Sequence, residues 1–251
     1  MKSVITKSYS DLTVHKSITE LIKRHSENKE DIRAIAHGLI DWERVKTMLD
    51  IGSGYGWFEE NLAPTLDLLV GIDYLEENRE SFLEGARRIA GKTEFMRLRL
   101  PASLDFPDGR FDLIVSCYSL YFFPGVLGEV ARLLGRSGVF LVVTHSEHML
   151  GEAERFFPFE NLRKGLRHFS AESGEAILRQ HFTRVTAIDY LNSLVFSRDD
   201  REDLAAYIDF KAAFIAMDVA PEVARAAMLQ ALEREGVLRF NKNDRIFVVQ
   251  K

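Results

Sequence analysis

The sequence lacks several features that mark whole classes of protein. It has one cysteine, Cys117, in 251 residues, so it can form no internal disulfide, which favours a reducing compartment. No apolar run approaches the roughly 20 residues that a membrane-spanning helix needs. Residues 1–16 also lack the continuous apolar core of a signal peptide. We therefore expect a cytoplasmic protein with no membrane span.

Runs of basic residues are missing as well. The chain has 33 Lys and Arg against 38 Asp and Glu, a formal net charge of −5. A surface that binds a phosphate backbone needs many uncompensated cations, so this balance disfavours nucleic acid as a partner. Hydrophobic residues make up 46% and charged residues 28%, which is typical of an ordinary globular protein.

Strand and helix patterns alternate through the middle of the chain. Residues 9–45 read as two helices ahead of the first strand. The predicted strands that follow are "VKTMLDI", "DLLVGIDY", "TEFMRLRL", "FDLIVSCYSLYFF" and "VFLVVTHSE"; the predicted helices are "GWFEENLAPTL", "LEENRESFLEGARRIAG" and "PGVLGEVARLLGRSG". This alternation of near-continuous apolar strands with helices predicts a doubly wound α/β domain over roughly residues 30–150.

The pattern changes after residue 150. "SAESGEAILRQHF" reads as a helix with Ser170 as its N-cap, and "TRVTAIDYLNSLVF" reads as a strand. Residues 199–235 read as two helices that are split at "DVAP". The last segment, "GVLRFNKNDRIFVVQ", predicts a hairpin that turns at "NKND".

The stretch "TMLDIGSGYGWFEENLA" has three glycines, Gly52, Gly54 and Gly56, after a buried strand. Glycines there let the chain turn tightly and let a ligand approach beyond the carboxyl ends of the strands. Asp73 ends the next predicted strand, 21 residues after Gly52, which suits a carboxylate that accepts from two ribose hydroxyls. The dinucleotide fingerprint needs a glycine where Trp57 stands, so a nicotinamide oxidoreductase is the last choice.

Four motifs in order carry a resemblance to a known family. "LDIGSGYG", "VGIDYLEENRE", "LDFPDGRFDLIVSCYSLYFF" and "LGRSGVFLVV" resemble the class I S-adenosylmethionine-dependent methyltransferases, in particular the small-molecule branch with a UbiE-like core. The resemblance covers about residues 45–145. It implies a Rossmann-like methyltransferase fold: a doubly wound, mostly parallel seven-stranded sheet with helical cover insertions at the N-terminus and between the sixth and seventh strands.

The resemblance also implies an organisation and a cofactor. Residues 1–251 would be a single methyltransferase domain, divided into an N-terminal helical cover (1–45), a cofactor-binding core (46–150) and an acceptor-side cover with the C-terminal strands (151–251). The cofactor would be S-adenosyl-L-methionine and its product S-adenosyl-L-homocysteine. The protein would be a monomer or homodimer that acts on a small-molecule acceptor.

By the same resemblance, ten residues would touch the cofactor. The loop under its methionine half would consist of Gly52, Ser53, Gly54 and Gly56, and Asp50 would orient its ammonium group. Asp73 would accept hydrogen bonds from the ribose hydroxyls, Tyr74 would lie against the adenine, and Leu100 falls at the adenine position. The methionine amine would be contacted by Ser116 and Cys117. Relatives often carry Asp and a small residue where this chain has Leu100 and Pro101. Leu accepts no hydrogen bond and Pro donates none, which leaves stacking and apolar packing, or a shift of one or two residues.

The chemistry of methyl transfer points to residues near the strand ends. His145 should emerge at the carboxyl edge of the fifth strand, where its pKa suits a general base; the alternative is a loop histidine bonded to backbone or solvent. Tyr118, Tyr121, His148 and Phe156 are candidate acceptor-binding residues. We predict no metal site, because "HSEH" lacks further spaced ligands.

Some alternatives stay open at this point. Tyr9, Arg24 and His25 could close over the methionine carboxylate, although "RHSENKED" also suits a simple connection between two helices. The protein could methylate RNA or a protein side chain, which the acidic balance disfavours. It could also be a cofactor-binding regulator without turnover, since the Leu100-Pro101 departure gives that interpretation some weight.

Overall fold

The structure, a computed structural model, describes residues 11–216 and 219–251. Its helices are α1 Leu12–His25, α2 Ile32–Gly38, α3 Arg79–Ala86, α4 Leu127–Leu133, α5 Glu160–Leu166, α6 Gly174–Leu178, α7 Arg201–Lys211 and α8 Pro221–Glu235. Its strands are β1 Thr47–Ile51, β2 Leu66–Asp73, β3 Ala90–Arg97, β4 Phe111–Cys117, β5 Leu134–His145, β6 Arg184–Tyr190, β7 Ser193–Ser197, β8 Val237–Asn241 and β9 Asp244–Gln250.

The chain divides into two compact units, each assembled from three segments. The core unit comprises residues 30–145, 168–190 and 244–251. The second unit comprises residues 1–29, 146–167 and 191–243. These divisions differ from the cover and core ranges expected from the sequence, and one methyltransferase domain over residues 1–251 stays a prediction.

The core unit is built on one seven-stranded sheet. Its strand order is β3-β2-β1-β4-β5-β9-β6. The strands from β3 to β5 pair in parallel, and β9 runs antiparallel to both β5 and β6. The predicted doubly wound, mostly parallel seven-stranded sheet is therefore confirmed.

Burial of apolar side chains explains the centre of this sheet. All five residues of β1 are buried, as the continuous apolar run predicts. Met48 on β1 and Leu113 on β4 join the same hydrophobic cluster as Phe82 of α3 and Ile32 of α2. The helices thus bury their apolar faces against the sheet, which fixes where each parallel strand ends.

The second unit contains helices and a small sheet. Strands β7 and β8 form an antiparallel pair, and α7 and α8 are the two helices expected on either side of "DVAP". At the end of α1, Arg24 and His25 both bind the Asp203 carboxylate, at 2.6 and 2.7 Å. Tyr9, the third residue of that candidate group, lies outside the described residues.

The predicted helix after the glycine turn is wrong. Residues 54–61 form successive turns with no α-helix. The reason lies in α2, whose side chains take carbonyls that a helix would use: Arg33 donates to the Trp57 carbonyl oxygen at 3.0 Å, and His37 Nε2 lies 2.7 Å from that of Phe58. Asn61 also has a left-handed φ of 65°, which ends any helical run.

Two further sequence predictions need correction. "GVLRFNKNDRIFVVQ" is not a hairpin, because β8 pairs with β7 while β9 enters the large sheet between β5 and β6. "TRVTAIDYLNSLVF" likewise splits into β6 and β7, which belong to different sheets. The residues beside the two breaks are hydrogen-bonded to each other, since the Lys242 amide donates to the Asn192 carbonyl oxygen and the Asn192 amide donates to the Asn243 side chain.

The predicted helix after residue 170 is shorter than expected. The α6 helix begins at Gly174 and not directly after Ser170. The Ser170 hydroxyl accepts from the amides of Glu172 and Ser173, so it caps the turn that precedes the helix.

Candidate active site

Four parallel strands of the core unit end at the same edge of the sheet. These ends are Ile51 of β1, Asp73 of β2, Cys117 of β4 and His145 of β5. In an open α/β sheet the crevice beyond such ends is where ligands bind. Most of the sequence-predicted site residues of the core unit lie at or just after these four ends.

The glycine turn follows β1 and needs its glycines. Gly52, Gly54 and Gly56 have φ values of +76°, +55° and +90°, in the left-handed region. A Cβ on Gly52 would lie 2.5 Å from both Cβ and Oγ of Ser119. The turn is thus held tightly against the segment that follows β4.

A buried hydroxyl pair joins β1 and β4 beneath this turn. The Ser119 hydroxyl donates to the Ile51 carbonyl oxygen at 2.9 Å, and its Oγ lies 2.8 Å from Ser116 Oγ. Ser116 is fully buried. Its predicted contact with the methionine amine would therefore act through backbone or through Ser119.

Asp73 connects the turn to β2. Its Oδ2 accepts from the Gly54 amide at 2.9 Å and its Oδ1 from the Leu75 amide at 2.7 Å. Burial raises the pKa of Asp73, and these backbone hydrogen bonds partly offset that rise. Each carboxylate oxygen has a second lone pair, so the residue fits the predicted acceptance from two ribose hydroxyls.

Several polar groups at the turn lack partners among the described residues. Asp50 Oδ1, Ser53 Oγ and both carboxylate oxygens of Glu59 make no hydrogen bond of ordinary geometry there. Buried polar atoms are costly unless something satisfies them. The open space around the Cβ position of Gly54, together with these unsatisfied atoms, fits a ligand that carries polar groups.

The residues predicted near adenine offer surface and no polar contact. The Tyr74 ring is 50% exposed directly after Asp73. Leu100 lies half-buried in the segment after β3. The side chains at these two positions can supply stacking and apolar packing, as the sequence indicates.

Cys117 ends β4 as a half-buried free thiol. Burial, and then the nearby Asp50 and Glu59 carboxyls, raise its pKa well above the ordinary value. A neutral thiol is a poor nucleophile. The residue therefore behaves as a small apolar group beside the turn.

An aspartate, a histidine and a tyrosine come together beside the turn. His145 Nδ1 lies 2.7 Å from Asp244 Oδ1, and the Tyr118 hydroxyl donates to Asp244 Oδ2 at 2.9 Å. The Tyr118 and His145 rings stack with centroids 4.5 Å apart, and Tyr121 lies 6.2 Å from His145. Trp57 of the turn reaches the Tyr118 ring at 5.6 Å.

The hydrogen bond to Asp244 sets the state of His145. An Nδ1–H that donates to a carboxylate places the lone pair of the neutral imidazole on Nε2. The side chain is 11% exposed, so it is nearly enclosed. Burial, and then the charge of Asp244, raise the pKa of Tyr118 well above its ordinary value, which keeps that hydroxyl a donor.

Two predicted acceptor-binding residues belong to the second unit. The His148 side chain is 72% exposed there, and its Nε2 lies 3.8 Å from Glu147 Oε1. The half-buried Phe156 ring lies under the guanidinium of Arg155, whose Cζ is 4.5 Å from the ring centroid. Tyr118, Tyr121 and His145 are brought together in the core unit.

Sequence reasoning misses Asp244 and Glu59. The hairpin prediction places Asp244 in a turn, whereas the residue begins β9 and stands directly opposite His145 in the antiparallel pairing with β5. Glu59 lies in the segment that is predicted as a helix, is not singled out there, and is buried in the structure. Glu60, the next residue, has the same charge and is exposed, so no local signal distinguishes the two acids.

The described residues show neither a metal-binding cluster nor a membrane-spanning helix. In residues 11–216 and 219–251 no group of three His, Cys, Asp or Glu side chains is placed to hold a metal ion. Within the same ranges no helix combines the length and the apolar character that crossing a bilayer requires.

Comparison with known proteins gives a consistent family. Residues 49–142 match the family described as "Methyltransferase domain". An uncharacterized methyltransferase of Bacillus subtilis, YcgJ, is 33% identical over 101 residues, which are 39% of this chain and 40% of that protein. The chain thus spans less than half the length of this curated relative in the match.

Solved structures share the fold over most of the chain. The crystal structure of YcgJ from Bacillus subtilis superposes with a TM-score of 0.59 at 17% identity, over 87% of this chain and 97% of that one. The BH2331 protein of Bacillus halodurans gives a TM-score of 0.59 at 14% identity, over 87% and 98%. The ordered sequence motifs, the strand order and the glycine turn therefore agree with the match of residues 49–142 to a methyltransferase domain, and the solved structures show that the chain shares the methyltransferase fold.

Proposed function

We propose that this protein transfers a methyl group from S-adenosylmethionine to an oxygen, nitrogen or carbon nucleophile of a small molecule, and that His145 accepts the proton that the acceptor loses. The observation that carries the proposal is the 2.7 Å contact between His145 Nδ1 and Asp244 Oδ1 at the ligand-binding edge of the sheet. We further propose that it does so in the cytoplasm, as the single cysteine favours.

The bound cofactor supplies an electrophilic methyl group on a sulfonium. The glycine turn and Asp73 would hold it, since Gly54 leaves open space and Asp73 keeps lone pairs for hydroxyl donors. Holding two reactants in line can supply several kcal/mol of the barrier, on the order of 7 or more in favourable cases. Alignment is thus the main task of these residues.

The aromatic rings around His145 would position the acceptor. Tyr118 stacks on the imidazole and Tyr121 lies close by, and both side chains present apolar surface. Such a site suits a small acceptor with a flat or apolar portion. Asp244 would hold His145 in the tautomer whose Nε2 accepts a proton, and would stabilise the imidazolium that results.

A label-transfer experiment tests this proposal. The protein is incubated with methyl-labelled S-adenosylmethionine and a cell extract that is separated into small molecules, RNA and protein. We expect label in the small-molecule fraction, and much less with His145→Gln, which retains binding of S-adenosylhomocysteine in calorimetry.

Three other outcomes of the label-transfer experiment would change the proposal. Label in RNA or protein would replace the acceptor class and refute the proposal. Binding of S-adenosylhomocysteine with no transfer to any fraction would identify a regulator. Full transfer by His145→Gln would remove the residue as base while leaving methyl transfer intact.

A further inference from the structure

Tyr118 has a backbone conformation that a bulky residue rarely adopts. It follows directly after β4 with a φ of +55°, in the left-handed region, where an aromatic residue is an outlier. Its amide donates to the Val143 carbonyl oxygen of β5 at 2.7 Å, which holds the residue in this conformation. Such strain persists only where the surroundings impose it, and it is concentrated at functional sites. The strained backbone therefore makes the contacts of this side chain a candidate for a functional role.

The Tyr118 side chain contacts both the histidine and the aspartate beside the turn. Its hydroxyl donates to Asp244 Oδ2 at 2.9 Å. Its ring stacks on the His145 imidazole, with centroids 4.5 Å apart and planes at 27°. Trp57 of the glycine turn meets the same ring at 5.6 Å in an edge-to-face arrangement. The backbone and two ring contacts thus fix the hydroxyl on the carboxylate.

Asp244 divides its two carboxylate oxygens between two partners. Oδ1 lies 2.7 Å from His145 Nδ1, and Oδ2 accepts from the Tyr118 hydroxyl. The carboxyl side chain is 1% exposed, so water contributes little to the stability of its charge. Arg245 is the next residue along β9, and its guanidinium binds Asp189 at 2.6 Å. The Tyr118 hydroxyl therefore supplies part of what stabilises the Asp244 charge.

This hydrogen bond affects how readily His145 takes up a proton. An ionised Asp244 favours the protonated imidazole, because opposite charges attract strongly in a buried site. A protonated His145 cannot accept a proton from a substrate. A donor on the second oxygen stabilises the carboxylate even when the imidazole is neutral, which weakens the tendency to hold that proton. Tyr118 can thus act on the base through Asp244.

Other titratable side chains of the core unit lie beside the pair: Cys117 at the end of β4, Tyr121 in the segment after it, and Tyr190 on β6. Burial raises the pKa of Cys117, so its thiol is neutral. Tyr190 stands opposite Asp244 in the pairing of β6 with β9, but its hydroxyl donates to the Glu30 carbonyl oxygen at 2.7 Å. The hydrogen bond to the carboxylate therefore distinguishes Tyr118 from Tyr190.

We propose that Tyr118 is a positioning residue for the base: its hydroxyl holds Asp244 and so keeps His145 in the neutral form whose Nε2 is free to accept a proton. The proton that the acceptor loses goes to Nε2, and Asp244 balances the imidazolium that results. This inference rests on the proposed function for the role of His145 as base. It gives the Tyr118 hydroxyl a role that does not require contact with the acceptor.

Nuclear magnetic resonance of the ring nitrogens of the unaltered protein is the first test. The seven histidines are labelled with nitrogen-15, and the protein is titrated from about pH 5 to about pH 9. The His145 signals are identified by their loss in His145→Gln. We expect the neutral ring to carry its proton on Nδ1 and to have a bare Nε2. A neutral ring with its proton on Nε2 would overturn the inference, whether or not any further variant folds.

Matched tyrosine variants then test the hydroxyl. Tyr118→Phe keeps the ring and removes the hydrogen bond to Asp244. We expect the midpoint of the His145 titration to rise by about one pH unit, because the imidazolium then becomes the main partner of the carboxylate. Tyr190→Phe is the control, since it removes a hydroxyl beside Asp244 that binds Glu30 instead; the midpoint should not change. Thermal unfolding checks that both variants fold.

The pH dependence of methyl transfer gives a second readout. Label transfer to the small-molecule fraction by Tyr118→Phe should be up to about tenfold slower at about pH 6.5 and should approach the rate of the unaltered protein at about pH 9, where His145 is neutral in both. The affinity for S-adenosylhomocysteine should not change. Equal slowing at every pH would indicate a merely structural role and would overturn the inference.

The outcomes separate this inference from the proposed function. No transfer of label to any fraction would overturn the function, while the titrations still test the link between Tyr118 and His145. An unchanged midpoint in Tyr118→Phe would overturn the inference and leave the function standing. An equal rise in Tyr190→Phe would do the same, because the effect would then not depend on the hydrogen bond to Asp244.

Discussion

Replacing Gly52 by Ala tests the geometry of the glycine turn most directly. A Cβ at this position would stand 2.5 Å from Cβ and Oγ of Ser119 and 3.1 Å from Cζ of Phe123. Ser119 cannot swing aside freely, because its hydroxyl bonds to the Ile51 carbonyl oxygen and to Ser116. The backbone must shift or these buried hydrogen bonds must break.

The magnitude follows from two contributions. Alanine in the left-handed region costs about 1 kcal/mol relative to glycine. Overpacking against Ser119, with the loss of its hydrogen bonds, costs about 2 kcal/mol more. We therefore expect Gly52→Ala to lower the free energy of unfolding by about 3 kcal/mol.

Gly54→Ala is the matched control. Gly54 also has a positive φ, +55°, but nothing lies within 4 Å of its Cβ position. Only the backbone strain applies, so we expect a loss of about 1 kcal/mol. Because its Cβ would enter the space that we assign to the cofactor, this variant should lose affinity for S-adenosylhomocysteine more than it loses stability.

Guanidinium unfolding followed by tryptophan fluorescence is the assay. The chain has two tryptophans, Trp42 and Trp57, and both belong to the core unit, so the signal reports the unit that holds the turn. Equal losses for Gly52→Ala and Gly54→Ala would refute the reasoning, because the contact with Ser119 would then cost nothing.

Three further predictions concern side chains at the same edge of the sheet. The pKa of Glu59 is raised to about 7 in the folded protein, so its contribution to the free energy of unfolding is full below about pH 4.5 and is lost as pH rises to about 7, a total of about 3 kcal/mol. The guanidinium unfolding midpoint of the unaltered protein should therefore be much lower at about pH 8 than at about pH 5.5, and this difference should be much smaller in Glu59→Gln. Equal differences in the two proteins would contradict the prediction. The thiol of Cys117 has a raised pKa, so alkylation by iodoacetamide at about pH 8 should be at least about tenfold slower in the folded protein than in guanidinium, and equal rates would count against its burial. Asp73→Asn should weaken binding of S-adenosylhomocysteine by about 10- to 100-fold, roughly 1.4 to 2.7 kcal/mol. Asp67 is an exposed residue on the same strand, so Asp67→Asn should leave the affinity unchanged. An unchanged affinity in Asp73→Asn would show that this carboxylate does not belong to the site.

The strands of the core were predictable because their pattern is local. Continuous apolar runs such as that of β1 become buried strands, and alternation with helices makes them parallel. The carboxyl ends of parallel strands share one edge, so the sequence alone is enough to expect Asp50, Asp73, Cys117 and His145 near each other. The four ordered motifs then indicate the family.

Local patterns failed where distant segments compete for backbone groups. "GWFEENLAPTL" has a helical pattern, yet Arg33 and His37 take the carbonyls of Trp57 and Phe58, and the segment forms turns instead. Glu59, within the same segment, is buried in the interior. Nothing within the segment itself reveals a hydrogen bond that comes from another helix.

The sequence by itself determined the class of fold and the glycine turn, because these depend on residue types at short, fixed spacings; the cofactor was implied by the resemblance of the four motifs to a known family. Only the tertiary structure decided which groups act together. Asp244 meets His145 across 99 positions because β9 enters the sheet antiparallel to β5. Glu59 is buried while the adjacent Glu60 is exposed, because the packing of distant segments against the turn, and not the residue type, decides which of the two acids is enclosed.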